Sequence, residues 1–393
     1  MTNMDAPSTS NGTSTSAQDA AAQKQPVRRA PLGIDTINKR VIKSEYAVRG
    51  EIVQLAQKIA KEVESGQHNH PFDKVVWCNI GNPQILGQKP ITYFRQVLAL
   101  CECPQLLTKQ IPGGLGAYSA TLTLYGGTLA PYLLDEGAGW GLDVEHLRLQ
   151  LAKARREGLC VRAMVVINPG NPTGQCLSYQ NMRDVLTFCR DEQLVLIADE
   201  VYQANIYVGN KEFFSFKKVA CAMGLEDQVP LVSLHSISKG FIGECGRRGG
   251  YMEVTGFPEP VKDQILKLAS INLCPNLSGQ ICCALMMNPP QPGEASYELY
   301  RKEKSDILGS LKRRAELLVG ALNRLEGVSC NAAEGALYAF PRPDWLYCKE
   351  LLEATGIVVV PGSGFGQADG TFHFRTTFLP SEEDIGRVVW CQP

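Results

Sequence analysis

Two apolar runs separated by one helical segment constrain this chain more than any other feature. Val161–Asn168 (VRAMVVIN) and Leu194–Asp199 (LVLIAD) are nearly continuous hydrophobic stretches. Runs of this kind mark strands buried on both faces. Between them, Ser178–Glu192 places Met182, Val185, Leu186 and Cys189 on one side of a helix. Strand, helix and strand joined by a crossover of this length make a parallel βαβ unit. Further strands are read at Val75–Ile80, Leu231–Ser236, Gly250–Val254, Ile357–Val360 and Thr371–Phe378. Helices are read at Gly50–Glu64, Ile91–Leu100, Val261–Ile271 and Tyr297–Leu325, with a short one ending at Thr355-Gly356. The pattern predicts a layered α/β fold. The stretch 382–393 is short for a domain expected to close with a helix.

The 393 residues suit two or three domains. Lys and Arg number 39 against 40 Asp and Glu, so no basic surplus exists to neutralise a phosphate backbone, and nucleic acid is not expected as a partner. No run reaches the ~18 apolar residues of a membrane span. Of 14 cysteines, the only close pairs are Cys101 with Cys103 and Cys282 with Cys283, neither spaced as a zinc site. They read as reduced thiols of an intracellular protein. His68 and His70 read as a solvated pair, and no metal is expected. Residues 1–30 hold no aromatic side chain and are rich in Ser, Thr, Ala and Gln, which predicts a disordered tail. A transit peptide would be Arg-rich and acid-poor, whereas Asp5 and Asp19 precede the first arginines, Arg28 and Arg29. The expected location is cytoplasmic, with mitochondrial as the alternative.

In doubly wound sheets, ligands sit at the carboxyl ends of the parallel strands. Three polar clusters stand there. The first strand runs into Asn168-Pro-Gly-Asn171-Pro-Thr-Gly174, the second into Asp199-Glu200-Val201-Tyr202. A third reads Ser236-Ile-Ser238-Lys239-Gly240 and leads to Gly246-Arg247-Arg248-Gly249-Gly250. Taken singly, each could be an ordinary turn or strand end. Together they supply a carboxylate, a phenol, an amide, an amine and a guanidinium, the set that pyridoxal 5′-phosphate requires. Lys239 supplies the amine for a Schiff base with its aldehyde. Asp199 pairs with the pyridinium nitrogen, and Asn171 and Tyr202 hydrogen-bond the ring oxygen. Ser236, Ser238 and Arg248 hold the phosphate.

The strings VVINPGNPTGQ, ADEVYQ, SISKGF and GGYMEVTG resemble those of fold-type-I, class-I/II aminotransferases. EYAVRGEIV, GNPQ, GGLGAYS, YLLDE, EGALYAFP and LLEATGIVVVPGSGFGQ narrow the resemblance to the alanine aminotransferases, from about Asp35 to about Pro380. The resemblance implies a mostly parallel central sheet flanked by helices, forming a large domain, plus a smaller α+β domain. On this basis residues 1–30 form the tail and 31–118 an N-terminal arm with part of the small domain. Residues 119–300 are the large cofactor-binding domain, and 301–393 the C-terminal small domain. The implied reaction is ping-pong exchange of an amino group between L-alanine and 2-oxoglutarate, giving pyruvate and L-glutamate in a homodimer. By position, Arg375 resembles the clamp for the substrate α-carboxylate, with Gly81 and Asn171 beside it. Tyr118 resembles the tyrosine that reaches the partner subunit's cofactor phosphate. The family pattern selects Arg248 over Arg247. Lys239, Asp199 and Tyr202 are the expected catalytic set, with Lys239 moving the α-proton.

The resemblance also implies a gap. Relatives place a phosphate-binding Asp-Gly-Ala-Ser loop and a ring-stacking aromatic between GAYS and the segment Leu124-Tyr-Gly-Gly-Thr128, and here Ser119 passes directly to Ala120-Thr121. A smaller gap falls between Arg342 and Trp345. The edges are clean, which points to an internal deletion of at least one strand–helix block in the large domain. The alternative to an active transaminase is then an inactive splice form or truncated subunit acting only as a dimerisation partner. A lyase or synthase of the same fold is a third reading.

Overall fold

The computed structural model describes residues 51–66, 68–79, 83–84, 86–102, 122, 125–270, 275–342, 345–368 and 370–390. The expected tail at 1–30 lies outside them.

The chain's order begins with α1 (Glu51–Glu64), β1 (Val76–Trp77) and α2 (Thr92–Glu102). The crossover unit follows as α3 (Val144–Arg156), β2 (Ala163–Ile167), α4 (Tyr179–Asp191) and β3 (Val195–Asp199). Then come α5 (Phe216–Ala222), β4 (Leu231–Ser236) and β5 (Gly250–Thr255), with helices α6 (Glu259–Ser270), α7 (Leu277–Met287) and α8 (Tyr297–Leu322). The chain finishes with β6 (Tyr338–Ala339), α9 (Trp345–Thr355), β7 (Ile357–Val358), β8 (Val360–Pro361), β9 (Phe374–Thr377) and α10 (Glu382–Trp390). The terminal stretch therefore does carry a closing helix: Ser381 caps it, its hydroxyl accepting from Asp384 N at 3.0 Å.

The large sheet has the order β2-β3-β4-β5, the first three strands parallel and β5 antiparallel. Helix α4 forms as expected. Ser178 caps it by accepting from Asn181 N at 3.1 Å, and Met182, Val185, Leu186 and Cys189 are all buried. They pack with Met164, Val166, Leu196 and Ala198 of the sheet. Strand β2 departs from expectation: Ala163 is exposed, and Val165 and Ile167 are half-buried. It is the edge strand of this sheet, so helices cover one of its faces more fully than the other.

A second core gathers α1, α8, α9 and the short strands. Here β1 pairs with β7 in parallel, and β9 lies between β6 and β8, antiparallel to both. The run Ile357–Val360, expected as one strand, divides between two sheets: Ile357 and Val358 pair with β1, and Val360 pairs with Arg375 of β9. All four side chains are buried, so hydrophobicity alone carries no sign of the division. A third core packs α2 against Ile237, Phe241 and α7. Among the described residues, no helix is long and apolar enough to cross a membrane.

Beneath the sheet's carboxyl edge lie a buried carboxyl and a half-buried imidazole. Glu200 is 5% exposed, and its Oε1 accepts from Phe216 N, at the start of α5, at 2.7 Å. Burial pushes its carboxyl up to about 7; the Phe216 amide opposes this, while Asp199 and Glu253 add to it. Burial pulls His235 down to about 4. Glu200 holds its proton more tightly folded than unfolded. The stability it contributes is therefore full below about pH 4.5 and is lost as the pH rises through about 7. His235 acts oppositely, contributing above about pH 6.5 and losing that contribution as the pH falls toward 4. Glu200→Gln is expected to be more stable than the parent near pH 8 by up to about 3 kcal/mol, and equal to it near pH 4.5. Urea midpoints across that range read the effect, and a difference independent of pH would contradict it.

Candidate active site

The parallel register sets the geometry, with Ile167 opposite Asp199 and Asp199 opposite Leu234. Three loops therefore leave the sheet at one level. At the end of β2, Asn168 N donates to Asp199 O at 3.0 Å, and Asn168 Oδ1 accepts from Leu177 N at 3.0 Å. These bonds fold the loop back on itself. Gly174 then turns with φ 73°, and a Cβ placed there would stand 2.5 Å from Tyr338 O. Only glycine accommodates both that backbone and that approach. Gly335 N donates to Gly174 O at 2.8 Å, which fixes the loop against the segment leading into β6. Asn171 is thereby presented to Arg375, whose Nη1 donates to its Oδ1 at 3.1 Å.

At the end of β3, Asp199 is 8% exposed and Tyr202 is 2% exposed. The hydroxyls of Tyr202 and Tyr338 are 3.2 Å apart, their rings perpendicular with centroids 5.9 Å apart. Burial pushes both phenols up. At Tyr338 the charges of Lys239 and Arg375 overcome burial and the net direction is down, while Tyr202 stays well above its ordinary value.

At the end of β4, Ser236 Oγ accepts from Ser238 N at 3.0 Å and donates to Gly249 O at 3.1 Å. Lys239 follows at once. A short turn, Cys245–Arg247, then delivers Arg248 in a left-handed conformation with φ 51°, and its Nη1 donates to Cys245 O at 3.2 Å. Cys245 donates through Sγ to Ser238 O at 2.8 Å. Burial raises its thiol while Lys239 and Arg248 pull it down, so both cations stand near it. Arg247 instead lies where Cys282 feels its charge, beside Glu244.

Arg375 comes from β9 and is 4% exposed. Its Nη2 donates to Asn79 O at 2.9 Å. Its guanidinium lies 4.5 Å from the ring centroid of Tyr338 and 4.9 Å from that of Phe365. Among the described residues, Nε has no hydrogen-bond partner, and neither polar atom of the Asn79 side chain has one. Among the described residues, Arg375 forms no ion pair with a carboxylate.

Asn171, Asp199, Tyr202, Ser236, Ser238, Lys239, Arg248 and Arg375 are thus gathered around one edge of the sheet. Gly81 and Tyr118 lie outside the described residues. Sequence reasoning passed over Tyr338, Phe365 and Asn79. The first two sit within EGALYAFP and PGSGFG, so the strings were visible although their contacts were not.

This donor set suits pyridoxal 5′-phosphate. It offers a buried carboxylate for the ring nitrogen, an amine for the aldehyde, a phenol and an amide for the ring oxygen, and hydroxyls with a guanidinium for the phosphate. The unpartnered Arg375 Nε leaves a donor for a substrate carboxylate.

The family model for aminotransferase class I and II matches residues 115–389. The chain is 48% identical to alanine aminotransferase 1, mitochondrial, of Arabidopsis thaliana, with 91% of this chain and 85% of that one covered. It is 42% identical to glutamate–glyoxylate aminotransferase 1 of the same plant, covering 91% and 94%. Among solved structures, an alanine aminotransferase from Pyrococcus furiosus superposes with a TM-score of 0.71 at 23% identity, covering 90% of this chain and 98% of that one. The alignment with the first relative runs over 463 positions, exceeding the 393 residues of this chain by 70. At least that many of its positions therefore face no residue here. Fold, donor set and sequence agree: the chain belongs to the class I and II aminotransferases.

Proposed function

We propose that this enzyme transfers an amino group between L-alanine and 2-oxoglutarate, giving pyruvate and L-glutamate in two half-reactions at one site. Arg375 carries the reading. A guanidinium this deeply buried, met among the described residues only by neutral oxygens and ring faces, is costly unless an anion joins it. The α-carboxylate of an amino acid is the anion that fits, and the small alanine side chain needs little further recognition.

When bound, pyridoxal 5′-phosphate supplies an aldehyde that takes up the amino group and a ring that accepts the electron pair left at the substrate's Cα. Asp199 holds a proton at the ring nitrogen, keeping the ring electron-poor. Asn171 uses Oδ1 for Arg375, which leaves its Nδ2 to donate to the ring oxygen beside Tyr202. Ser236, Ser238 and Arg248 bind the phosphate. Lys239 would take the proton from the substrate's Cα and return it to the bound group as general base and acid. With Lys239, Asp199, Tyr202, Asn171 and Arg375 all retained, the inactive reading is not favoured.

Alanine added to the loaded enzyme is expected to discharge the cofactor's visible absorbance and release pyruvate. Lys239→Ala should lose that reaction, and an enzyme that responds to aspartate but not to alanine would overturn the assignment. Glyoxylate and 2-oxoglutarate compared as acceptors then fix the second half-reaction. Arg375→Leu should raise KM for alanine by roughly 100-fold. Steady-state rates measure this, and an unchanged KM would remove the clamp role.

We infer that the gap relative to the Arabidopsis relative is internal and falls after Ser119. The sheet supports this, since it ends on β5, where the first four of six residues are exposed. Arg248 is exposed as well. Among the described residues, phosphate binding then rests on Ser236, Ser238 and Arg248. The chain should bind cofactor at least about 30-fold more weakly than a variant carrying the relative's extra segment after Ser119. Equal affinities by equilibrium dialysis would overturn this.

A homodimer fits the exposed Val261, Leu266 and Leu268 of α6 and Leu277 of α7. Three relatives named as mitochondrial favour that location over the cytoplasmic expectation.

A further inference from the structure

We propose that Tyr338 is a positioning residue that sets two elements of the site at once: its hydroxyl orients the proton of Tyr202, and its ring face fixes the plane of Arg375. The inference rests on the function proposed above, and its observations are geometric. Tyr338 is 2% exposed on β6, so its side chain has no room to turn away. Its hydroxyl meets Tyr202 at 3.2 Å, and its ring faces the Arg375 guanidinium at 4.5 Å. The Phe365 ring also lies against the guanidinium at 4.9 Å, and the Asn171 and Asn79 oxygens take Nη1 and Nη2. The guanidinium is therefore held in one plane with Nε unpartnered. A cation held against ring faces keeps its position without a carboxylate that would compete with substrate.

The direction of the phenol pair follows from the charges around it. Lys239 from the turn after β4 and Arg375 from β9 act on Tyr338; Asp199 from β3 and Arg375 act on Tyr202; Cys245 faces Tyr338 from the turn that carries Arg248. Tyr202 donates to the Tyr338 oxygen at 3.2 Å, and the two cations steady the charge that this oxygen gathers as acceptor. Tyr338 thereby fixes where the Tyr202 proton points. Each hydrogen bond in such a chain strengthens the next.

Two variants separate the two actions. Tyr338→Phe keeps the ring and loses the hydroxyl. With saturating cofactor, the pH midpoint of its visible absorbance should fall by roughly 0.5 unit, because the Tyr202 proton is then released to donate to the ring oxygen. Tyr338→Leu loses the ring. Its affinity for succinate, a dicarboxylate with no amino or oxo group to react, should weaken about tenfold by calorimetry, while Tyr338→Phe should bind succinate as the parent does. An unmoved midpoint in Tyr338→Phe would refute the hydroxyl's action. Parental succinate affinity in Tyr338→Leu would refute the ring's. Neither readout uses alanine, so a parent enzyme that ignores alanine yet shows both shifts would overturn the substrate assignment and leave this inference standing.

Discussion

The site depends first on the register of three parallel strands. Because β2, β3 and β4 run the same way and finish at one level, three chemically different loops leave the sheet side by side. An antiparallel arrangement would have sent the middle loop to the opposite edge. The apolar runs therefore do more than bury surface: they decide that Asn171, Asp199 and Lys239 come from neighbouring strand ends. The backbone bond from Asn168 N to Asp199 O extends this pairing one residue past the strands, into the loops themselves.

Arg375 is the point at which the second core meets that edge. It is carried by β9, whose neighbours β6 and β8 bring Tyr338 and the turn bearing Phe365. A guanidinium held against aromatic faces gives up water for dispersion and quadrupole attraction, and keeps its in-plane N–H groups available. Oxygens of Asn171 and Asn79 occupy two of these N–H groups without neutralising the charge. The result is a buried cation whose positive field is retained for an incoming anion, which an ion pair to a protein carboxylate would have cancelled.

Legibility in the sequence follows the range of the interactions involved. Asp199, Lys239 and Asn171 were legible because each stands where an apolar run stops, and the run and its end are both local. The helix α4 was legible for the same reason, from one apolar face. The edge position of β2 was not, since an uninterrupted run looks the same whether one or two strands flank it. The division of Ile357–Val360 between two sheets was likewise hidden, because all four side chains are buried in either case. Tyr338 was the largest omission. Its role depends on residues 136 positions away at Tyr202 and 37 away at Arg375. No local pattern distinguishes that tyrosine from an ordinary core aromatic.

The far side of the sheet follows the opposite logic from the site. At the active edge, polar groups are buried and held. Beyond β5, apolar groups are exposed: Tyr251 and Met252 on the strand, then Val261, Leu266 and Leu268 on α6. A helix gains most of its stability by packing an apolar face, and an edge strand with open backbone groups invites pairing. Neither condition is met here by the described residues of one chain. Either a further segment or a second copy must cover this surface for α6 to gain from its leucines. The exposed Arg248 lies at the edge of the same face, since β5 begins two residues after it.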